Sequence, residues 1–137
     1  MKAIVDASSL LMLIKNVEEE ALLNKLNGLA TLDMAFYEIG NALWKQASIR
    51  RVASGEEVKR VVSAVGKVFL MNSFVKISWR DLDYSAVFDL AVGNDITFYD
   101  AGYLMASIVF KKPLVTEDEK LKRVAANHVR VMSWRDL

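Results

Sequence analysis

Apolar residues change their spacing several times along this chain, and each change marks the border of a predicted element. Ala3-Ile4-Val5 is an unbroken apolar run with two β-branched residues, which reads as a strand buried on both faces, and Asp6 stands where that strand surfaces. Leu10 to Ile14 and then Glu18 to Leu26 carry apolar residues at helical spacing, and Gly28 ends the second piece. Ala30 to Leu32 is a short strand. Asp33 then N-caps a helix from Met34 to about Ser48, whose core face is Phe36, Ile39, Gly40, Leu43 and Ala47. Glu38, Asn41 and Lys45 share its opposite face, a polar face suited to line a cleft.

Arg50 and Arg51 open a basic link, and Ser54 with Glu57 has the spacing of a capping box for the next helix. Its apolar stripe is Val58, Val61, Val62, Val65 and Phe69. Phe74 to Ile77 is an edge-type strand, and Asp81 caps a helix through Val92 that Gly93 terminates. Thr97 to Lys111 is helical, with Asp100 near its start. Leu114-Val115-Thr116 is a strand, a helix follows Glu117-Asp118-Glu119 to about Ala126, and Val129 to Met132 is the last strand. Strands alternating with helices imply right-handed βαβ units, hence a three-layer α/β/α domain around a central, mostly parallel sheet of short strands. Ser78-Trp79-Arg80-Asp81-Leu82 recurs as Ser133-Trp134-Arg135-Asp136-Leu137, each copy after a predicted strand, which suggests reuse of a local corner rather than a duplicated domain.

Composition narrows the chemistry. The 137 residues suit a single domain spanning 1–137. With no cysteine and only His128, thiolate and histidine-rich metal sites are excluded, so a metal would be held by oxygen. Eighteen basic residues against seventeen acidic ones argue against adhesion to nucleic acid by bulk charge. Setting aside four acids as a site leaves the remainder net basic. The three apolar residues before Asp6 are too few for a signal peptide, and no apolar run is long enough to cross a membrane, so a soluble, cytoplasmic protein is expected.

Four acids occupy comparable places: Asp6 after the first strand, Glu38 early on a helix, Asp100 at a helix start and Asp118 after a late strand. Each has a plain explanation. Asp6 caps the first helix, Thr97 with Asp100 and Thr116 with Glu119 have capping-box spacing, and Glu38 is a solvated helix position. As a set they point elsewhere. Asp6 and Asp118 follow β-rich runs and emerge at one edge of a parallel sheet, while Tyr99 and Tyr103 place Asp100 in partly apolar company. Two such carboxylates at 4 Å repel by about 4 kcal/mol at an effective dielectric of 20. A converged set takes up a proton or a hard cation, here Mg2+ or Mn2+.

At these residues the chain resembles the PIN domain, and within it the single-domain VapC-type toxins of prokaryotic toxin-antitoxin pairs. The resemblance covers essentially the whole chain and rests on four blocks in order: Ile4-Val5-Asp6-Ala7-Ser8-Ser9, Glu38-Ile39-Gly40-Asn41-Ala42-Leu43, Tyr99-Asp100-Ala101-Gly102-Tyr103-Leu104-Met105-Ala106 and Leu114-Val115-Thr116-Glu117-Asp118-Glu119-Lys120-Leu121. It implies that Asp6, Glu38, Asp100 and Asp118 are the metal-binding acids and that Ser8 and Thr116 support them. Asp33 stands where many relatives have proline, and Glu117 and Glu119 crowd Asp118 as alternative ligands. The resemblance further implies a homodimer, a cognate antitoxin whose tail fills the groove, and an RNA substrate. The expected activity is that of an Mg/Mn-dependent endoribonuclease, with Asn41, Lys45, Arg50 and Arg51 as candidates for the RNA backbone. Two alternatives stand beside it: a PIN-type nuclease of RNA processing or DNA cleavage, and a catalytically weak module that binds RNA or antitoxin.

Overall fold

Five parallel strands of two or three residues each are enough to build the sheet, because both of its faces are covered by helices. The computed structural model of the chain describes residues 1–50 and 55–137, the side chain of Arg50 excepted. In chain order the elements are β1 (Ile4–Val5), α1 (Ala7–Asn16), α2 (Glu19–Leu26), β2 (Ala30–Leu32), α3 (Ala35–Trp44), α4 (Gly55–Leu70), β3 (Val75–Ile77), α5 (Tyr84–Asn94), α6 (Phe98–Phe110), β4 (Leu114–Val115), α7 (Glu119–Ala125) and β5 (Val131–Met132). A π-helical turn, Lys45–Arg50, prolongs α3, and 3-10 turns follow β3 and β5.

The strands lie in the order β3-β2-β1-β4-β5, with Ile4 opposite Ala30 on one side and Leu114 on the other. The chain first builds outward from β1 through β2 to β3. It then returns to the other side of β1 for β4 and β5. The reversal opens a crevice beyond the carboxyl ends of β1 and β4, which is where parallel sheets of this kind bind ligands. Helices α1, α3 and α4 pack on one another, α5 pairs with α6, and α6 lies against β1, β2 and β4, completing the expected three layers. The continuous apolar runs behave as two-sided burial requires: Ile4, Val5, Leu114 and Val115 are all at 0% exposure.

Several local readings change. Asp33 does not cap α3. Its N–H is drawn into the β2–β3 ladder, donating to the Ile77 carbonyl at 2.9 Å, and the N-cap position falls on Met34 without a side-chain bond. Gly40 and Ala47 are exposed, so the buried face of α3 is Ala35, Ile39 and Leu43. In α4 the buried pair is Val61 and Val68, while Val62 and Phe69 are half-exposed. Ser54 and Arg51 fall outside the described residues. Helix α5 is capped by Asp83, whose Oδ1 accepts from Ala86 N at 3.0 Å, because Asp81 is consumed by the preceding turn. The helix passes through Gly93 and stops only where Asp95 adopts a left-handed conformation. Val129 lies before the final strand, which is shorter than its apolar pattern suggests.

The repeated pentapeptide forms the same capped turn twice, at the ends of the two edge strands. Asp81 Oδ2 accepts from Ser78 N at 3.0 Å, and Asp136 Oδ2 accepts from Ser133 N at 2.8 Å. Trp79 then stacks on Phe98, with ring centroids 5.1 Å apart, and wedges against α6. A Cβ on Gly102 would stand 2.9 Å from the Trp79 ring and 3.1 Å from Leu32 Cδ1, so this helix reaches the sheet only through glycine. Gly102→Ala is therefore expected to cost about 1–3 kcal/mol, as overpacking does, despite alanine's better helix propensity. Chemical denaturation checks this, and an unshifted midpoint would mean that the Trp79 wedge yields.

Candidate active site

Asp6 is the N-cap of α1 as well as a candidate site residue, and the two roles do not compete. As the N-cap of α1 its Oδ1 accepts from Ser9 N at 2.7 Å and from the Ser8 hydroxyl at 3.1 Å, yet the residue is only 5% exposed. Burial pushes its carboxyl above the usual range, and hydrogen bonding, first of all from the Thr116 side chain, pulls it part of the way back. Strand pairing brings these two segments together: Val5 faces Val115, and Asp6 N donates to the Val115 carbonyl at 3.1 Å. Thr116, fully buried, accepts from Asp118 N at 3.1 Å. Asp118 is itself the N-cap of α7, accepting from Leu121 N at 2.7 Å, where the capping-box spacing had pointed to Thr116 instead.

Helices α3 and α6 bring the other two acids. Glu38, in the first turn of α3, accepts from the Tyr103 hydroxyl at 2.7 Å. Asp100, in the first turn of α6, receives the Thr97 hydroxyl at 2.7 Å while its own N–H donates back to that oxygen at 3.1 Å. Burial raises the pKa of both; Asp100 and Asp6 raise Glu38 further, and Asp118 and Asp6 raise Asp100 further. The four acids thus share one electrostatic neighbourhood, and among the described residues no cationic side chain acts on Asp6, Glu38 or Asp100 to offset it. Among the described residues no group of three or more His, Asp or Glu is arranged to clasp a metal ion as it stands. The donor set is nonetheless all oxygen and anionic, which suits a hard divalent cation.

Tyr103 escaped the sequence reading as a site residue. It is 1% exposed, and burial with the Glu38 charge drives its hydroxyl far above the usual range, so it stays a neutral donor. The available signal was its position three residues after Asp100, on the same face of α6. The crowding around Asp118 also resolves. Glu117 is held by Ser133 Oγ at 2.5 Å, Trp134 N at 3.2 Å and Lys122 Nζ at 3.1 Å, and those bonds lower its pKa; Glu119 pairs with Lys122 at 3.0 Å. Glu117 therefore ties the end of β4 to the turn after β5.

The polar face of α3 does line a groove, of about 680 Å3, formed by Met34, Tyr37, Glu38, Asn41, Ala42, Lys45 and Tyr99. Ser8 lines a smaller hollow on the other side of Glu38. Arg51 and the side chain of Arg50 lie outside the described residues.

No family model matches the chain. Among curated proteins it is similar to Exonuclease VapC9 of Pyrobaculum aerophilum, with 35% identity over 121 residues, 86% of this chain and 81% of the relative. Ribonuclease VapC3 of the same organism is 28% identical over 128 residues, 88% and 92% of the two chains. The crystal structure of PAE2754 from P. aerophilum matches with a TM-score of 0.68 at 27% identity, covering 95% of this chain and 90% of that one.

The electrostatics predict an inverted pH dependence. Asp6, Glu38 and Asp100 have folded-state pKa values raised above their ordinary ones, so between the two the folded chain holds more protons than the unfolded chain. Their contribution to stability is then full below the ordinary values of 3.8 and 4.5 and is lost as pH rises through the raised ones. Metal-free protein is expected to gain melting temperature from these groups as the pH is lowered from neutral toward the ordinary carboxylate values, as read by thermal unfolding with a chelator. Glu38→Gln keeps the acceptor for Tyr103, removes one charge and should stabilise the metal-free fold at pH 7 by up to about 1 kcal/mol, solvent screening holding the gain down. A lower melting temperature for this variant would contradict the repulsion.

Proposed function

The chain belongs to the VapC family of PIN-domain nucleases, and from that premise we propose that it is the toxin of a toxin-antitoxin pair and cuts RNA internally with a divalent cation, Mg2+ or Mn2+. The observation carrying this reading is the mutual repulsion of Asp6, Glu38, Asp100 and Asp118 at the reversal point of the sheet, which no cation among the described residues offsets. Asp6, Asp100 and Asp118 would hold the ion directly or through water, and Glu38 would complete the acidic pocket. The chemistry supplied there would be polarisation of a phosphoryl oxygen and a lowered pKa for the attacking water.

The chain's own residues do the positioning. Ser8 fixes the Asp6 carboxylate, and Thr116 fixes the backbone of Asp118. Tyr103, held neutral, donates to Glu38 and keeps its second oxygen free to turn toward the pocket. Asn41 and Lys45, in the groove beside Glu38, take the RNA backbone, and Arg50 and Arg51 are further candidates for it on the sequence alone. A homodimer, a cognate antitoxin filling the groove and a cytoplasmic site of action belong to the same reading. None of the described helices is long and apolar enough to cross a membrane.

The relatives' names divide between an exonuclease and a ribonuclease, so the mode of cleavage is a point of its own. A circular single-stranded RNA, which has no ends, is expected to be linearised by the wild type in Mg2+ or Mn2+ and left intact with chelator. Cutting only after the circle has been opened would establish an exonuclease instead. Asp100→Asn should keep the circular dichroism of the wild type and lose roughly two orders of magnitude or more in cleavage. Undiminished turnover in that variant would remove the metal-site assignment.

A further inference from the structure

Two tyrosines that the mechanism leaves unused flank the acids. Tyr37 directly precedes Glu38 in the first turn of α3, and Tyr99 directly precedes Asp100 in the first turn of α6. Neighbouring helix residues point about 100° apart, so in each pair the ring takes the lip of the groove beside the acid. Both rings line the same groove as Asn41 and Lys45. They are 82% and 56% exposed, and among the described residues neither has a ring neighbour, whereas Phe98, the residue before Tyr99, packs with Trp79 and Tyr84. Solvated aromatic faces beside a lysine and an asparagine suit a ligand with flat apolar surfaces and negative charge in alternation.

On the ribonuclease reading, with an unpaired strand as substrate, we propose that Tyr37 and Tyr99 are stacking platforms for the bases flanking the phosphate presented to the acids. A duplex fits poorly, since its base faces are already stacked on one another, whereas a single strand can splay bases onto aromatic side chains. Asn41 and Lys45 in the same lining offer the polar and cationic contacts that a strand's phosphates take, whereas the core of a self-association surface would be depleted in charge.

The test is steady-state cleavage of a short fluorescein-labelled single-stranded RNA, with a matched set carrying one abasic nucleotide at each position in turn. Tyr37→Ala and Tyr99→Ala are expected to raise KM by roughly five- to a hundredfold, the worth of one base–aromatic stack, with kcat nearly unchanged. Tyr→Phe at either position should restore KM, and an abasic nucleotide at the stacked position should erase the penalty of the alanine change. Folded alanine variants with wild-type KM, or a penalty of the same size on every abasic RNA, would overturn the proposal. Alanine variants that lose only self-association by size-exclusion chromatography would assign the rings to a protein interface instead. If the wild type cuts no RNA, the nuclease reading fails separately, and the same abasic comparison read by fluorescence anisotropy still decides the stacking.

Discussion

Burial of negative charge at the carboxyl end of the central strand is the constraint around which the rest of the molecule is arranged. Asp6 is almost shut from water, and its Oδ1 is satisfied by Ser9 N and Ser8 Oγ. The like charges of Glu38 and Asp100 stand near enough for each to feel Asp6. A domain has little stability to give away, and an arrangement in which carboxylates raise one another's proton affinity detracts from it. Retaining such an arrangement makes physical sense where a cation or a reacting group relieves it.

The scaffold shows how that arrangement is held. Parallel pairing of β1 with β4 sets Asp6 beside Thr116 and hence near Asp118, while α6, lying against β1, β2 and β4, delivers Asp100 and Tyr103 from above the sheet. Gly102 lets α6 approach, and Trp79 fills the space beside it. At the other edge Glu117 fastens the β4 corner to the turn after β5. The repeated Ser-Trp-Arg-Asp turns therefore serve one purpose at both margins of the sheet: each ends an edge strand with its own cap and sets a tryptophan or its backbone against an element that bears a candidate acid.

At three of the candidate acids a structural role leaves room for the proposed one. Asp6 and Asp118 are N-caps, and Asp100 sits in a first turn where the helix dipole favours an anion. Helix starts recommend themselves for this reason. A carboxylate there is oriented by backbone N–H groups or by the hydroxyl of a neighbouring cap residue, which fixes its position in advance of any ligand.

Strand-helix alternation, the parallel three-layer fold and the placement of Asp6, Glu38, Asp100 and Asp118 at element ends were legible in the sequence, because hydrophobic period and capping preference act over a few residues. So was the polar face of α3 that lines the groove. Local pattern went astray where a residue had two local uses: Asp33 was claimed by the β2–β3 ladder and Asp81 by its own turn, leaving capping of α5 to Asp83. What joins distant segments was decided by tertiary structure alone. The placing of β4 beside β1, the bond from Tyr103 to Glu38 across 65 residues of sequence, the Trp79 wedge at Gly102 and the diversion of Glu117 toward Ser133 all depend on which surfaces meet when the layers close, and no periodicity within one segment encodes that meeting.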